Sequence, residues 1–338
     1  MSGKRIAVLG AGANGAGIGA DLTRAGLDVT FIEQWPAHVE AMRANGIRVE
    51  VSGGSETTKV NVINLCEVAS QREKFDIVFM LVKAYDTRWA GELIRPLLTE
   101  DSLVVGLQNG MSIDDMIDVL GPERTIGAVI EVASNMFNPG VVVRQTPREG
   151  SWFAVGSVHP STRGREEEVV EVLRHAGTVE VSDDIRSSKW MKLVANAGEL
   201  VPTAILNLPM ADAAALPGMR QFMDENCKEA LRVAIALGNK AVPIFGLTEA
   251  EGAPDDYAVK LLDLVHSHWT HPDTLTTVLQ DWRKGRRGEV GEVNGLVVRE
   301  AARVGLRTPA NARTVEIAAR IETGDLAADP SNLALLLA

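Results

Sequence analysis

The chain has 338 residues, 46% of them hydrophobic, and a formal net charge of −11. This is too apolar for a disordered chain, and the length allows two domains with sizeable cores. The acidic balance argues against a nucleic-acid partner, and no apolar run reaches the roughly 18 residues of a membrane span, so no membrane partner is expected.

The first half alternates strand and helix patterns. "RIAVLG" (5–10) and "DVTFIE" (28–33) read as buried strands with a helical run between them. "FDIVFMLV" (75–82) and "SLVVGL" (102–107) are further apolar runs of strand length, and "TIGAVIEVAS" (125–134), "GVVVRQT" (140–146), "SWFAVGS" (151–157) and "TVEVSD" (178–183) add β-rich segments. This order predicts a mostly parallel, doubly wound sheet with an appended antiparallel part. After about residue 185 the spacing becomes helical, in "SSKWMKLVANAGELVPTAIL", "GMRQFMDENCKEALRVAIALG", "DDYAVKLLDLVHSH", "TLTTVLQDWRKG" and "GEVNGLVVREAARVG". The expected fold is an α/β Rossmann-type domain over 1–184, followed by an all-α domain over 185–338. The apolar tail "LALLLA" suits docking on a partner or on the chain itself, and a homodimer is expected. Cys66 and Cys227 read as two reduced, buried thiols. No signal-peptide pattern precedes the first strand, so a cytoplasmic location is expected.

The turn after the first strand carries Gly10, Gly12 and Gly15, a G-x-G-x-x-G pattern, with a helix starting near Asn14. Such glycines let a dinucleotide pyrophosphate approach the backbone at a helix N-terminus, where exposed N–H groups and the helix dipole favour an anion. Glu33, at the end of the second strand, stands near the spacing of a carboxylate that bonds a ribose 2′-hydroxyl. A carboxylate there repels the 2′-phosphate of NADP, and Gln34 and Trp35 bring no positive charge. Arg43 lies one helix further on. NAD is therefore the expected cofactor, with NADP as the alternative.

Several segments together resemble the ketopantoate reductase (2-dehydropantoate 2-reductase) family: "GAGANGAGIGADL", "DIVFMLVKAYDT", "LQNGMS", "NPGVVVR", "WMKLVANA", "LQDWRKGRRGEVGEVNG" and "VGLRTPAN", in the family's order. The resemblance implies a Rossmann domain, a helical C-terminal domain of the kind dehydrogenases carry, and hydride transfer in a cleft from a nicotinamide to C2 of a 2-oxo acid. It also implies roles for residues: Lys83 as a cofactor-side lysine, Asn109 near the nicotinamide ribose and substrate, Lys192 as catalytic lysine, Asn196 on the substrate, Glu289 as catalytic-site glutamate and Thr277 on the substrate carboxylate. The chemistry is coherent by itself. Reducing a ketone creates an alkoxide, and a lysine ammonium can stabilise that charge and supply the proton. Lys192 and Asn196 lie on one helix face, four residues apart.

The chain departs from the family pattern where a second asparagine is usual, which here is Leu200. Glu199, seven residues after Lys192, returns to nearly the same face, so the helix presents either Lys–Asn–Glu or a Glu199 turned to solvent or paired with Lys189. A Glu199 facing substrate would disfavour a carboxylate beside it and suit hydroxyl or amino groups. Glu131, where an uncharged residue is usual, points the same way. His266, His268 and His271 are close in sequence but lack a metal-site spacing, so no metal is expected. Three functions compete: reduction of 2-dehydropantoate to pantoate, NAD-dependent oxidation of another hydroxylated small molecule, and NAD(H) binding without catalysis.

Overall fold

The structure, a computed structural model, describes residues 3–250 and 252–338. The chain divides into two compact units, one up to Gln108 together with Ser112–Ile185, the other Asn109–Met111 with Arg186–Ala338.

In chain order the first unit contains β1 (Arg5–Leu9), α1 (Ala13–Arg24), β2 (Asp28–Glu33), α2 (Pro36–Asn45), β3 (Ile47–Val51), β4 (Gly54–Thr58) and β5 (Asn61–Asn64). It continues with β6 (Phe75–Met80), α3 (Thr87–Ile94), β7 (Leu98–Gly106), α4 (Ile113–Leu120), β8 (Thr125–Glu131), β9 (Ser134–Asn135), β10 (Val141–Arg144), β11 (Trp152–Ser157), α5 (Glu166–Leu173) and β12 (Thr178–Val181). The main sheet has the order β12-β11-β8-β7-β6-β1-β2-β5. From β5 to β8 all pairings are parallel. Those six strands, numbered by sequence, give the 3-2-1-4-5-6 order of a dinucleotide-binding sheet, and the order reverses between β1 and β6. Both faces are buried. Ile6, Val8, Ile77 and Phe79 join one apolar cluster, while the alternating Ala7, Leu9, Val78 and Met80 join the other. This is why these strands read as unbroken apolar runs rather than as alternation.

The appended part differs in detail from the expectation. β11 is antiparallel to β8, but β12 is parallel to β11. The segment 125–134 does not form one strand. β8 stops at Glu131, and Ser134–Asn135 pairs in a second, four-stranded sheet of order β4-β3-β10-β9. That sheet is tied to α1 by a buried ion pair between Arg144 and Asp21.

α6 runs Ile185–Ile205 and leads into the second unit, followed by α7 (Met210–Ala214), α8 (Met219–Ala236), α9 (Pro254–His268), α10 (Thr277–Arg283), α11 (Asn294–Arg303), α12 (Pro309–Glu322) and α13 (Leu333–Leu337). Gly198 allows α6 and α8 to touch, since a Cβ there would lie 2.9 Å from the Met223 carbonyl oxygen. The apolar tail docks within its own unit. Leu336 is buried, Asn332 donates to the Ile205 and Ala327 carbonyls, and Arg313 donates to the Leu336 carbonyl. Leu335 and Leu337 of the same tail stay exposed, and homodimerisation stays a proposal. Cys66 corrects an expectation too: Cys227 is buried, but Cys66 is exposed, on a 3-10 turn after β5. No helix of the described residues is long and apolar enough to cross a membrane.

Candidate active site

In the first unit the glycine loop lies at the point where the strand order reverses. A Cβ on Gly10, whose φ is +96°, would meet the Val82 nitrogen at 2.7 Å, so the loops after β1 and β6 touch there. A Cβ on Gly15 would lie 2.0 Å from the Gly10 carbonyl oxygen. These two glycines are required by the protein's own backbone. Gly12 is different. It is the N-cap of α1, in extended conformation (φ −62°), and a Cβ there would meet nothing within 4 Å. Nothing in the chain requires glycine at this position, whereas a pyrophosphate seated on the N-terminus of α1 would. The loop residues fit a dinucleotide.

Glu33 ends β2 where the sequence put it, and its side chain has partners that the sequence did not show. It is buried, and its carboxylate accepts the Ala11 N–H at 2.7 Å and the Trp35 N–H at 2.8 Å. It holds the glycine loop and the turn into α2, and each of its oxygens keeps a lone pair for a further donor. Arg43, the nearest candidate for a 2′-phosphate, is already paired with Glu40 and Glu67, and those partners raise its pKa. The side-chain oxygen of Asn14 accepts from Ser134 at 2.5 Å, which ties the start of α1 to β9.

Lys83 caps the 3-10 turn after β6. The residue that fixes this turn is Gln108, which sequence reasoning missed although it stands beside Asn109. Its amide donates to the Val82 carbonyl at 2.8 Å and to Thr87 Oγ1 at 3.0 Å, while its oxygen accepts from Ser112 Oγ at 3.0 Å. Glu131, at the end of β8, is buried.

In the second unit the structure brings Asn109 to Asn196, whose Nδ2 donates to Asn109 Oδ1 at 3.2 Å. One turn earlier on α6 stands Lys192, 7% exposed, with its Nζ 5.4 Å from the centre of the Phe245 ring. Glu199 is 3% exposed, so the alternative that it turns to solvent falls. Leu200 is buried as well, and its carbonyl accepts from Thr276 Oγ1. Thr276 is the N-cap of α10, accepting the Leu279 N–H. The adjacent Thr277 has a buried hydroxyl oxygen with no hydrogen-bond partner among the described residues. A buried hydroxyl needs a partner, and none of the described residues supplies one. Glu289 is buried, in the turns before α11.

A fully buried amide network holds α6 beneath these groups. Asn294 Nδ2 donates to the Ala197 carbonyl at 2.9 Å and to Asn311 Oδ1 at 2.9 Å, and Asn311 donates to Glu229 at 2.8 Å. It clamps the helix beside Asn196, just before Pro202, which lacks the N–H that the Gly198 carbonyl would otherwise accept. The histidines do not gather into a site. His266 is partly buried, its pKa lowered by burial and by Arg220, whereas His268 and His271 are exposed. No three-residue group able to hold a metal occurs among the described residues.

The comparisons with known proteins agree with this geometry. The family described as "Ketopantoate reductase PanE/ApbA" matches residues 6–156, and its C-terminal part, "Ketopantoate reductase PanE/ApbA C terminal", matches residues 184–322. The 2-dehydropantoate 2-reductase of Archaeoglobus fulgidus is 27% identical over 322 residues, spanning 95% of this chain and 99% of that protein. The crystal structure of a PanE/ApbA family ketopantoate reductase from Ralstonia eutropha JMP134 is 30% identical, covers 95% of this chain and 99% of its own, and superposes with a TM-score of 0.78. A D-mandelate dehydrogenase solved with NADH and anilino(oxo)acetate shares the fold at a TM-score of 0.84, with 20% identity and coverage of 95% and 99%. With a dinucleotide loop in the first unit and a buried lysine–asparagine face in the second, the chain belongs to the ketopantoate reductase (PanE/ApbA) family of NAD(P)-dependent oxidoreductases acting on 2-oxo and 2-hydroxy acids.

Proposed function

We propose that the protein is an NAD(H)-dependent reductase of a 2-oxo acid, with 2-dehydropantoate as the leading substrate and pantoate as its product. The observation that carries this reading is the buried face of α6, where Lys192 stands one turn before Asn196 and Asn196 meets Asn109. The first unit would hold the dinucleotide through Gly10, Gly12, Asn14, Gly15, Glu33 and Lys83. When bound, the nicotinamide supplies the hydride. Lys192 would place its ammonium on the substrate's keto oxygen, stabilise the negative charge that develops there, and release one proton to it. Asn196 and Asn109 would hold the hydroxyl side of the substrate, and Thr277 its carboxylate. Glu289 would orient the lysine and hold a substrate hydroxyl. NAD is preferred to NADP because Glu33 is a carboxylate held in place by two backbone amides, and because Arg43 is committed to Glu40 and Glu67.

A second reading is supported by Glu199. A buried carboxylate on the lysine face, beside the apolar Leu200, suits a substrate with hydroxyl or amino groups better than a second carboxylate. It describes an NAD-dependent dehydrogenase oxidising another hydroxylated small molecule. The test is a panel of 2-oxo acids, 2-hydroxy acids and other alcohols with NADH, NADPH, NAD and NADP, followed at the nicotinamide absorbance. Turnover of 2-dehydropantoate with NADH supports the first reading. Turnover confined to other hydroxylated compounds supports the second, and none on the whole panel rejects both.

A further inference from the structure

Phe245 lies in the stretch "AVPIFGLT", between α8 and α9, where no periodicity marks any residue as special. Its φ is +61°, and among the described residues only Asn207 shares a positive φ without being glycine. Asparagine tolerates that conformation, but a bulky aromatic does not adopt it without strain. The surroundings enforce it. Tyr257 Oη donates to the Val242 carbonyl at 2.7 Å, and the Leu247 N–H donates to the Ile244 carbonyl, closing a turn across Phe245 and Gly246. Tyr257 and Ile244 are both fully buried, which anchors the turn in the helical core. The Phe245 ring meets Trp269 at 5.3 Å, tilted by 46°.

A phenylalanine needed only to fill the core would not require a left-handed backbone. A glycine or an asparagine would relax the turn. What the strained turn achieves is the placement of the ring 5.4 Å from Lys192 Nζ, within the distance at which a ring face attracts an ammonium. Strain held in this way, next to a group that does chemistry, points to function.

We propose that Phe245 is a positioning residue for Lys192. Its ring face holds the ammonium in one orientation, and the 242–247 turn and Trp269 fix the ring. The inference rests on Lys192 serving the proposed reduction, but its direct readout does not.

Two variants separate the ring face from bulk: Phe245→Tyr keeps the π face, and Phe245→Leu keeps an apolar side chain without one. Protein carrying 13C-labelled lysine reports the contact without substrate, the Lys192 ε signal being identified by its absence in Lys192→Arg. That signal should stand upfield of ordinary lysines in the wild type and in Phe245→Tyr, and return to the ordinary position in Phe245→Leu. With 2-dehydropantoate and NADH, Phe245→Leu should lower kcat by roughly 5- to 30-fold, the span of a cation–π pair from half-exposed to desolvated, with KM changed less than kcat. Phe245→Tyr should stay within about two-fold of the wild type. An unshifted Lys192 signal in the wild type overturns the proposal, whatever the substrate proves to be. So does a Phe245→Leu enzyme with unchanged kcat while Lys192→Ala abolishes turnover. Equal losses of kcat and melting temperature in both variants would also overturn it, by making Phe245 a packing residue. Full turnover by Lys192→Ala, with the signal upfield, would instead reject the proposed chemistry and leave the contact standing.

Discussion

Gly12→Ala separates what the fold needs from what a dinucleotide needs. The new methyl would meet no atom of the protein within 4 Å, and the extended conformation of residue 12 is open to alanine. Alanine is a poorer N-cap than glycine by less than about 1 kcal/mol, and removing a glycine restrains the unfolded chain by about 0.4–1 kcal/mol. These terms oppose each other, so the melting temperature should move by no more than about 4 °C. The same methyl would stand where a pyrophosphate must approach the N-terminus of α1. NADH affinity should fall at least tenfold, equivalent to about 1.4 kcal/mol. Gly15→Ala is the control, because its methyl would collide with the Gly10 carbonyl oxygen at 2.0 Å and should damage folding and binding together. The assay is NADH titration by fluorescence alongside thermal melting. A Gly12→Ala protein that binds NADH within two-fold of the wild type, or that melts about 10 °C lower, would refute the assignment of this glycine to the cofactor.

The proposed preference for NAD rests on Glu33. The wild type should favour NADH over NADPH by at least about tenfold in kcat/KM, and Glu33→Ala should weaken NADH binding and lower stability by unsatisfying the Ala11 and Trp35 amides. A wild type that prefers NADPH would sink this reading. Gln108→Leu should take one hydrogen bond each from the Val82 carbonyl and the Thr87 and Ser112 hydroxyls, Thr87 keeping its bond to the Ala84 carbonyl, a loss of about 2–3 kcal/mol read as a melting temperature about 5–10 °C lower. An unchanged melting curve would show that this turn does not depend on Gln108. In the native protein a thiol reagent should modify Cys66 alone, because burial and the nearby Glu199 and Asp224 push the Cys227 thiol well above its ordinary pKa. Two thiols reacting at comparable rates before denaturation would contradict the buried position of Cys227.

The parts of this fold that could be read from the sequence are those where one local signal carries several facts. From β1 to β2, the apolar runs, the glycines and the helical stretch agree, and the strands and α1 fall where they were expected. β3 to β5 gave no such signal. Gly54–Thr58 is mostly exposed and polar, and it is a strand because its backbone pairs with β3, not because a face is buried. In 125–134 the apolar character continues past Glu131, so nothing local shows that the chain leaves one sheet for another. At the site, residue types were legible but partners were not. Glu33 was identified as the acid ending β2, yet the amide it holds belongs to Ala11, 22 residues earlier. Asn109 drew attention within "LQNG", whereas the neighbouring Gln108 makes the contacts that fix the turn. Phe245 had no sequence signal at all, and it becomes visible only through its backbone angle and its distance from Lys192.

The central claim is that Lys192 supplies the charge and the proton for reduction while the glycine loop, Glu33 and Lys83 carry the cofactor's affinity. Lys192→Ala, assayed for both turnover and NADH affinity, tests it most directly. Removing one preorganised donor of this kind should lower kcat by on the order of 10²–10³. The NADH dissociation constant should stay near that of the wild type, because Gly10, Gly12, Gly15, Glu33 and Lys83 all belong to the other unit. Turnover within a few-fold of the wild type on the substrate the panel identifies would contradict the account, and so would a loss of NADH binding as large as the loss of turnover.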